Sequence, residues 1–307
     1  MASAIQRESM GGTDRLRWEA KGGFGARVEI DPDALREGLS EAERRALSAL
    51  LYRSGYLEFS GQLLDADQFR RFSAIFGNLP PAEDEANPVL AVDKKIGGFG
   101  TAKLMWHRDM SFSDYPFDAI ALHALDVNPG ETATNVASGV HAYRTLSEKL
   151  KKRLEGLTTL TAVSGNMYER PHFEDTQSIP GWPQAVHDLV STHPKTGEKV
   201  LLICPMCTVH IQELEHAESE DLLSELFAHI AAPENTYAHR WHTGDIFVWD
   251  NYGCVHARDN LEGVTRRTLR RATIGERSFR QAFPDWDMRA FTDRHVEKNY
   301  MGKGAAY

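Results

Sequence analysis

The stretch Arg266-Arg267-Thr268-Leu269-Arg270-Arg271-Ala272-Thr273-Ile274 has the pattern of a strand. In an extended chain successive side chains point to opposite faces, so Arg267, Leu269 and Arg271 share one face. Arg266, Thr268 and Arg270 share the other. Two guanidiniums turned into a barrel interior are expensive to bury unpaired. They make sense where the interior takes up anions, because a guanidinium forks onto a carboxylate through two N–H groups. For Arg266 and Arg270 an exposed, solvated face serves equally well.

Outward from this stretch the chain reads as mainly β. Strand-like segments fall at residues 106–112, 120–127, 200–203, 237–241 and 246–249, with short helices at 147–154 and 219–230. Thr196-Gly197 and Gly244-Asp245 sit between strand-like runs and mark tight connections. Nearer the N-terminus, Ser40-Glu41-Ala42-Glu43 reads as a capping box, and Ala46, Leu47, Leu50 and Leu51 follow at helical spacing. Gly55 ends that helix and residues 56–59 form a strand. A second helix starts at Asp65, carries Phe69, Phe72 and Phe76 on its apolar face, and has Gly77 at its C′ position. Residues 1–22 read as a flexible arm, 23–307 as one domain, and the polar stretch 164–185 as a lid without regular structure. Many strands with a few peripheral helices predict a jelly roll, that is, a double-stranded β-helix of cupin-like form.

Composition narrows the class. With 307 residues, 41% hydrophobic and 26% charged, the chain has the make-up of a globular protein with a sizeable core. A net charge of -9 argues against nucleic acid as a partner. No apolar run approaches the roughly 20 residues needed to span a bilayer, and the first residues lack the apolar core of a secretion signal. A cytoplasmic protein with no membrane partner is the expectation. The three cysteines, Cys204, Cys207 and Cys254, form no disulfide framework. Cys204-Pro205-Met206-Cys207 has the spacing of half a zinc site, but no second pair completes it, so packed thiols are expected there.

The segment Trp106-His107-Arg108-Asp109-Met110-Ser111-Phe112 carries a His-x-Asp pair whose side chains face one point if the chain is extended. His256, in Trp249-Asp250-Asn251-Tyr252-Gly253-Cys254-Val255-His256, supplies a third ligand type. Two histidines and one carboxylate on one face leave open positions on a metal, the arrangement suited to non-haem Fe(II) oxygenases. With 13 histidines and 44 acidic residues, such a pair also arises by accident.

The spacing carries the reading further. Asp109 is followed after 24 residues by Thr134, and His256 after 10 residues by Arg267. Together with His193-Pro194-Lys195-Thr196-Gly197, Leu226-Phe227-Ala228-His229-Ile230, Trp249-Asp250-Asn251, Phe76-Gly77-Asn78-Leu79 and Arg271-Ala272-Thr273-Ile274, this resembles the taurine dioxygenase (TauD/TfdA) family over residues 23–279. The resemblance implies a jelly-roll fold and an iron site of His107, Asp109 and His256. It also implies 2-oxoglutarate as co-substrate, with its distal carboxylate on Thr134 and Arg267, and O2 as second co-substrate. Oxidative decarboxylation would give succinate, CO2 and an oxidant able to hydroxylate an unactivated C–H bond.

Arg271 matches the position that often holds the acidic group of the primary substrate, so a small anionic molecule is expected. Ala82 and Lys103 stand where taurine dioxygenases carry a sulfonate-binding His and an Asn, and Cys207 where an aromatic stands. That disfavours taurine and leaves Lys103 and Cys207 as substrate-binding candidates. A small organic acid or an amino-acid-derived natural-product intermediate fits better. Glu83-Asp84-Glu85 could face a cationic group, though a solvated acidic loop explains it too. Desaturation, cyclisation and isonitrile formation share the same oxidative start. Halogenation is disfavoured because Asp109 occupies the place that a halide would need. A non-catalytic binding protein and a zinc or manganese hydrolase are the readings from other classes. Family members are often homo-oligomers, dimers or tetramers, and the same is expected here.

Overall fold

The computed structural model describes residues 15–84, 88–93, 100–101, 103–163, 170–178 and 181–286. Its frame is two sheets with a shared interior. The larger has seven strands in the order Leu16–Ala20, Ala26–Ile30, Tyr56–Phe59, Ile246–Asp250, Ala119–Val127, Arg267–Ile274 and Val89–Ala91. All its pairings are antiparallel except that between Ala26–Ile30 and Tyr56–Phe59. The smaller sheet runs Thr236–Arg240, Ala133–Ser138, Cys254–Arg258 and Leu104–His107, all antiparallel. A three-stranded sheet (Thr208–Ile211, Thr158–Ala162, Gln184–Asp188) and the hairpin of Val190–Thr192 with Lys199–Leu201 complete it. The jelly-roll expectation is met.

Strand alternation explains why the larger sheet is buried on both sides. Ile246 and Val248 face outward, into a cluster with Leu47, Leu50 and Leu51 of helix Glu41–Ser54 and Phe69 and Phe72 of helix Ala66–Ser73. Their neighbours Phe247 and Trp249 face inward and pack with Ile120, Leu122, Leu269 and Trp241. The outer helices begin where the sequence says they should. Ser40 and Glu43 exchange the two hydrogen bonds of a capping box, as do Asp65 and Gln68. Gly55 closes the first helix with φ 91, a conformation that side chains with a Cβ avoid. The second helix ends at Ser73, so Phe76 and Gly77 lie past its cap rather than on it, and Tyr52 Oη–H fastens this exit by donating to Phe76 O at 2.6 Å.

Three expectations change. Within the expected arm 1–22, Leu16–Ala20 is the edge strand of the larger sheet. Leu16 and Trp18 pack against the helix-covered core, and the polar residues between them hide that two-residue period. Residues 1–14 lie outside the described residues. The stretch 164–185 contains a six-residue helix, Phe173–Ser178, and the strand Gln184–Asp188 begins inside it. Residues 164–169 and 179–180 lie outside the described residues, and so does Glu85. The strand expected over 106–112 stops at His107, and the chain then turns: Ser111 N–H donates to Arg108 O, and Met110 adopts φ 61. No helix among the described residues is long and apolar enough to cross a membrane.

Candidate functional site

The inner faces of the two sheets bring the sequence candidates together. His107, at the end of Leu104–His107, is the direct cross-strand partner of His256 in Cys254–Arg258. The two rings lie 3.9 Å apart between centroids. Cross-strand neighbours at such a pair meet side by side, so the register alone delivers two imidazoles to one point. The third group arrives by the turn, not by alternation along a strand. Asn251 holds the turn: Asp109 N–H donates to Asn251 Oδ1 at 3.1 Å, and Asn251 Nδ2–H donates to Asp109 O and Phe117 O, each at 3.0 Å. His107, Asp109 and His256 each then offer a ligand atom, all within 4.8 Å of one another.

Local chemistry prepares these groups. His107 Nδ1–H donates to Met105 O at 2.7 Å, which leaves Nε2 as a lone-pair donor 3.6 Å from Asp109 Oδ1. His256 is buried, its ring is packed 4.7 Å from that of Trp249, and its Nδ1 has no hydrogen-bond partner. Burial, with His107 beside it, pushes its imidazole well below the ordinary value, which keeps it in the neutral, metal-binding form. Burial works against charge on Asp109 too, but the Arg271 guanidinium, with His256 and His107, outweighs it and holds the carboxyl well below the usual range. The cluster is thus an ionised carboxylate with an unpartnered buried imidazole nitrogen, a donor set that fits a divalent metal.

The alternation read in 266–274 also holds. Arg267 is 1% exposed, whereas Arg266 pairs with Asp126 at the surface. Arg267 Nε and Nη1 have no hydrogen-bond partner, and burial, with Arg258 nearby, pushes the guanidinium down to about 9. Such a group asks for an anion. Arg267 is paired with Val127, the last residue of its strand, and Thr134 lies near the start of the next strand across a short turn. Thr134 is buried, and its hydroxyl accepts Trp241 Nε1–H at 3.1 Å.

Arg271 lies at the cluster itself, its Nη2–H donating to Asp109 Oδ2. Lys103 is exposed, just before the strand that ends in His107. Cys207 is buried in a turn with Cys204 beside Trp106, whose carbonyl accepts Met206 N–H. Neither residue belongs to the metal cluster. Two further residues at the site, Asn251 of the Trp249-Asp250-Asn251 motif and Trp241 of a strand-like run, carry no ligand signal in the sequence. Asn251 is marked there only by its place five residues before His256, at a turn between two strands.

A protein-family model described as "Taurine catabolism dioxygenase TauD, TfdA family" matches residues 17–273. The alpha-ketoglutarate-dependent 2,4-dichlorophenoxyacetate dioxygenase of Burkholderia sp. (strain RASC) is 31% identical over 81% of this chain and 91% of its own. Pentalenolactone F synthase of Streptomyces avermitilis is 30% identical over 67% of this chain and 76% of its own. Among solved structures, a taurine dioxygenase from Burkholderia xenovorans superposes with a TM-score of 0.72 at 25% identity, covering 85% of this chain and 91% of its own. AAD-2, solved in complex with Mn(II) and N-oxalylglycine, superposes with a TM-score of 0.70 at 25% identity over 85% of this chain and 98% of its own.

Proposed function

The chain belongs to the TauD/TfdA family of 2-oxoglutarate-dependent dioxygenases, and from that premise we propose that it hydroxylates an unactivated C–H bond of a small organic acid. Fe(II), 2-oxoglutarate and O2 are the family's cofactor and co-substrates. Iron held there would let O2 oxidise 2-oxoglutarate to succinate and CO2, one oxygen atom entering succinate and the other going to the C–H bond of the substrate.

The chain's own residues provide the rest. His107, Asp109 and His256 hold the metal, supported by their mutual 4.8 Å grouping. Arg267 and Thr134 take the distal carboxylate of 2-oxoglutarate. The observation that carries this is Arg267 itself, a guanidinium 1% exposed with Nε and Nη1 unpartnered. Without a bound anion its burial has no compensation. Asn251 keeps Asp109 in place through the backbone on both sides of its carboxylate.

Arg271 is the anchor for the acidic group of the primary substrate. Its contact with Asp109 Oδ2 puts it beside the metal ligands, where an anchored carboxylate positions the rest of the molecule for attack. The apolar cluster joining Met110 and Phe112 to Trp249, Phe279 and Phe283 flanks the ligand turn and favours a substrate with an apolar body. The names of the relatives point the same way, to aryloxy acids and to natural-product intermediates. A homo-oligomeric, cytoplasmic enzyme completes the proposal, by family resemblance.

The test is succinate release from Fe(II), 2-oxoglutarate and a panel of aryloxyacetates, sulfonates, sulfate esters and terpenoid acids. A substrate that stimulates succinate release and gains one oxygen by mass spectrometry supports the reading, and a loss of two hydrogens would shift it to desaturation. Arg271→Ala should raise the KM of that substrate at least tenfold and leave 2-oxoglutarate binding within about twofold. An unchanged substrate KM would refute the anchor.

A further inference from the structure

The turn that carries Asn251 crosses from the larger sheet to the smaller. Residues 251–253 leave the strand Ile246–Asp250 and enter Cys254–Arg258, the strand of His256. Asn251 also holds the Asp109 backbone from both sides. One turn therefore sets two of the three metal ligands. Asp109 is placed through the Asn251 side chain, and His256 through the point at which its strand begins. What fixes the turn itself lies one layer further out.

His193 and Asp250 meet in that layer, each 1% exposed. His193 stands in the connection between the strands Val190–Thr192 and Lys199–Leu201. Its Nδ1 accepts Lys195 N–H at 3.0 Å and Thr196 N–H at 3.3 Å. The ring hydrogen is thereby assigned to Nε2, which donates to Asp250 Oδ2 at 2.9 Å. The other carboxylate oxygen, Oδ1, accepts Tyr252 N–H at 3.1 Å, inside the turn. At Gly253 a Cβ would collide with Asp250 Oδ2, so the carboxylate rests against bare backbone. A second link joins the same two segments, since the hydroxyls of Ser191 and Tyr252 lie 2.7 Å apart.

We propose that His193 and Asp250 are positioning residues for the metal site, a clasp that orients the 251–253 turn and through it Asp109 and His256. The proposal rests on the assignment of His107, Asp109 and His256 as ligands, and neither clasp residue belongs to their cluster. Direction, more than stability, is what the pair supplies. A buried hydrogen-bonded pair adds little net stability over apolar side chains of the same shape. The Asp250 carboxylate, however, accepts from an imidazole on one side and from the turn amide on the other. An apolar side chain would leave the turn free to choose another angle, and a ligand held at the wrong angle binds metal less well.

The test uses variants that break the clasp and a control that only weakens the fold beside it. Asp250→Asn keeps the shape, yet whichever way its amide is turned one N–H meets another, at His193 Nε2 or at Tyr252 N. His193 cannot respond by moving its hydrogen, because Nδ1 faces two backbone N–H groups. His193→Phe removes the donor, whereas His193→Gln keeps one. Tyr52→Phe is the control: Tyr52 packs against the His193 ring and donates to Phe76 O, outside the clasp. Mn(II) alone is titrated into each protein well below its Tm, with free and bound ion read by electron paramagnetic resonance. Asp250→Asn and His193→Phe should weaken Mn(II) about tenfold or more and alter the spectrum of the bound ion, with His193→Gln within about threefold of wild type. Tyr52→Phe should lower Tm and leave Mn(II) affinity unchanged. Wild-type affinity in Asp250→Asn and His193→Phe overturns the clasp. So does an equal loss in Tyr52→Phe, because lost stability alone would then explain the effect. Wild-type protein that fails to take up Mn(II) overturns instead the ligand assignment beneath the proposal. If Asp250→Asn does not fold, the two His193 variants decide. Loss with Phe and retention with Gln supports the clasp, and equal affinity in both overturns it.

Discussion

Replacing Arg267 by methionine should strengthen the ligand-free fold and cripple co-substrate binding at the same time. The guanidinium is 1% exposed with two donors unpartnered, and burial, with Arg258 nearby, pushes it down to about 9. A drop of that size, at about 1.4 kcal/mol per pH unit, corresponds to a penalty on the order of 5 kcal/mol for keeping the charge inside. The sign is set by protonation: the unfolded chain holds this proton more tightly, so at neutral pH the charge works against folding. Met has a similar stem and no charge, and such replacements stabilise by roughly 1–4 kcal/mol. At about 2–4 °C per kcal/mol for a chain of this class, Arg267→Met should melt several degrees above wild type in the absence of 2-oxoglutarate. With Mn(II) in place of iron, calorimetric titration should show 2-oxoglutarate weakened by about 3 kcal/mol, roughly a hundredfold, the scale for breaking a buried charge pair. A variant that melts below wild type and still binds 2-oxoglutarate normally would refute the reasoning.

Trp241→Phe removes the indole N–H that occupies Thr134 Oγ1. It should weaken 2-oxoglutarate about tenfold, with little effect on a 2-oxo acid that lacks the distal carboxylate; equal weakening of both would mean a general packing defect. Asn251→Ala frees the turn that carries Asp109, and metal affinity should fall 10–100-fold, as is typical when a supporting partner of a ligand is lost. An unchanged Mn(II) dissociation constant would contradict that role. Glu58 gives a pH prediction. Burial alone would raise its carboxyl, but hydrogen bonds from His239 and Tyr237 outweigh it and hold it at about 2. Its folded value is below its ordinary one, so its contribution is present above about pH 4.5 and fades as pH falls toward 2. Burial lowers His239, yet Asp245 and Glu58 raise it overall, so that contribution is complete below pH 6.5 and is lost as pH rises through the raised value. Glu58→Gln should destabilise by on the order of 3 kcal/mol at pH 6 and flatten the acid limb of a stability–pH curve measured in urea.

Local chemistry is legible in the sequence. Ser40 with Glu43 and Asp65 with Gln68 are contacts between residues three apart, so the helix starts could be read directly. The period of two in residues 266–274 placed Arg267 and Arg271 on the inner face, and the strand Arg267–Ile274 bears this out. Leu16–Ala20 and Ala133–Ser138 were not legible, because polar and small residues mask their period until a neighbouring strand supplies the missing hydrogen bonds. How His107, Asp109 and His256 meet is settled in three dimensions. His107 faces His256 by register between distant strands. Asp109 reaches them by a turn that Asn251, 142 residues away, holds from both sides. Alternation along an extended 106–112 would have brought the same side chains near one another for a different reason. Where the buried charges find their partners was likewise decided in three dimensions. A sequence shows that Arg108, Arg267 and Arg271 are cations. Their burial, and which neighbouring groups answer each one, depends on what folding brings within a few ångströms.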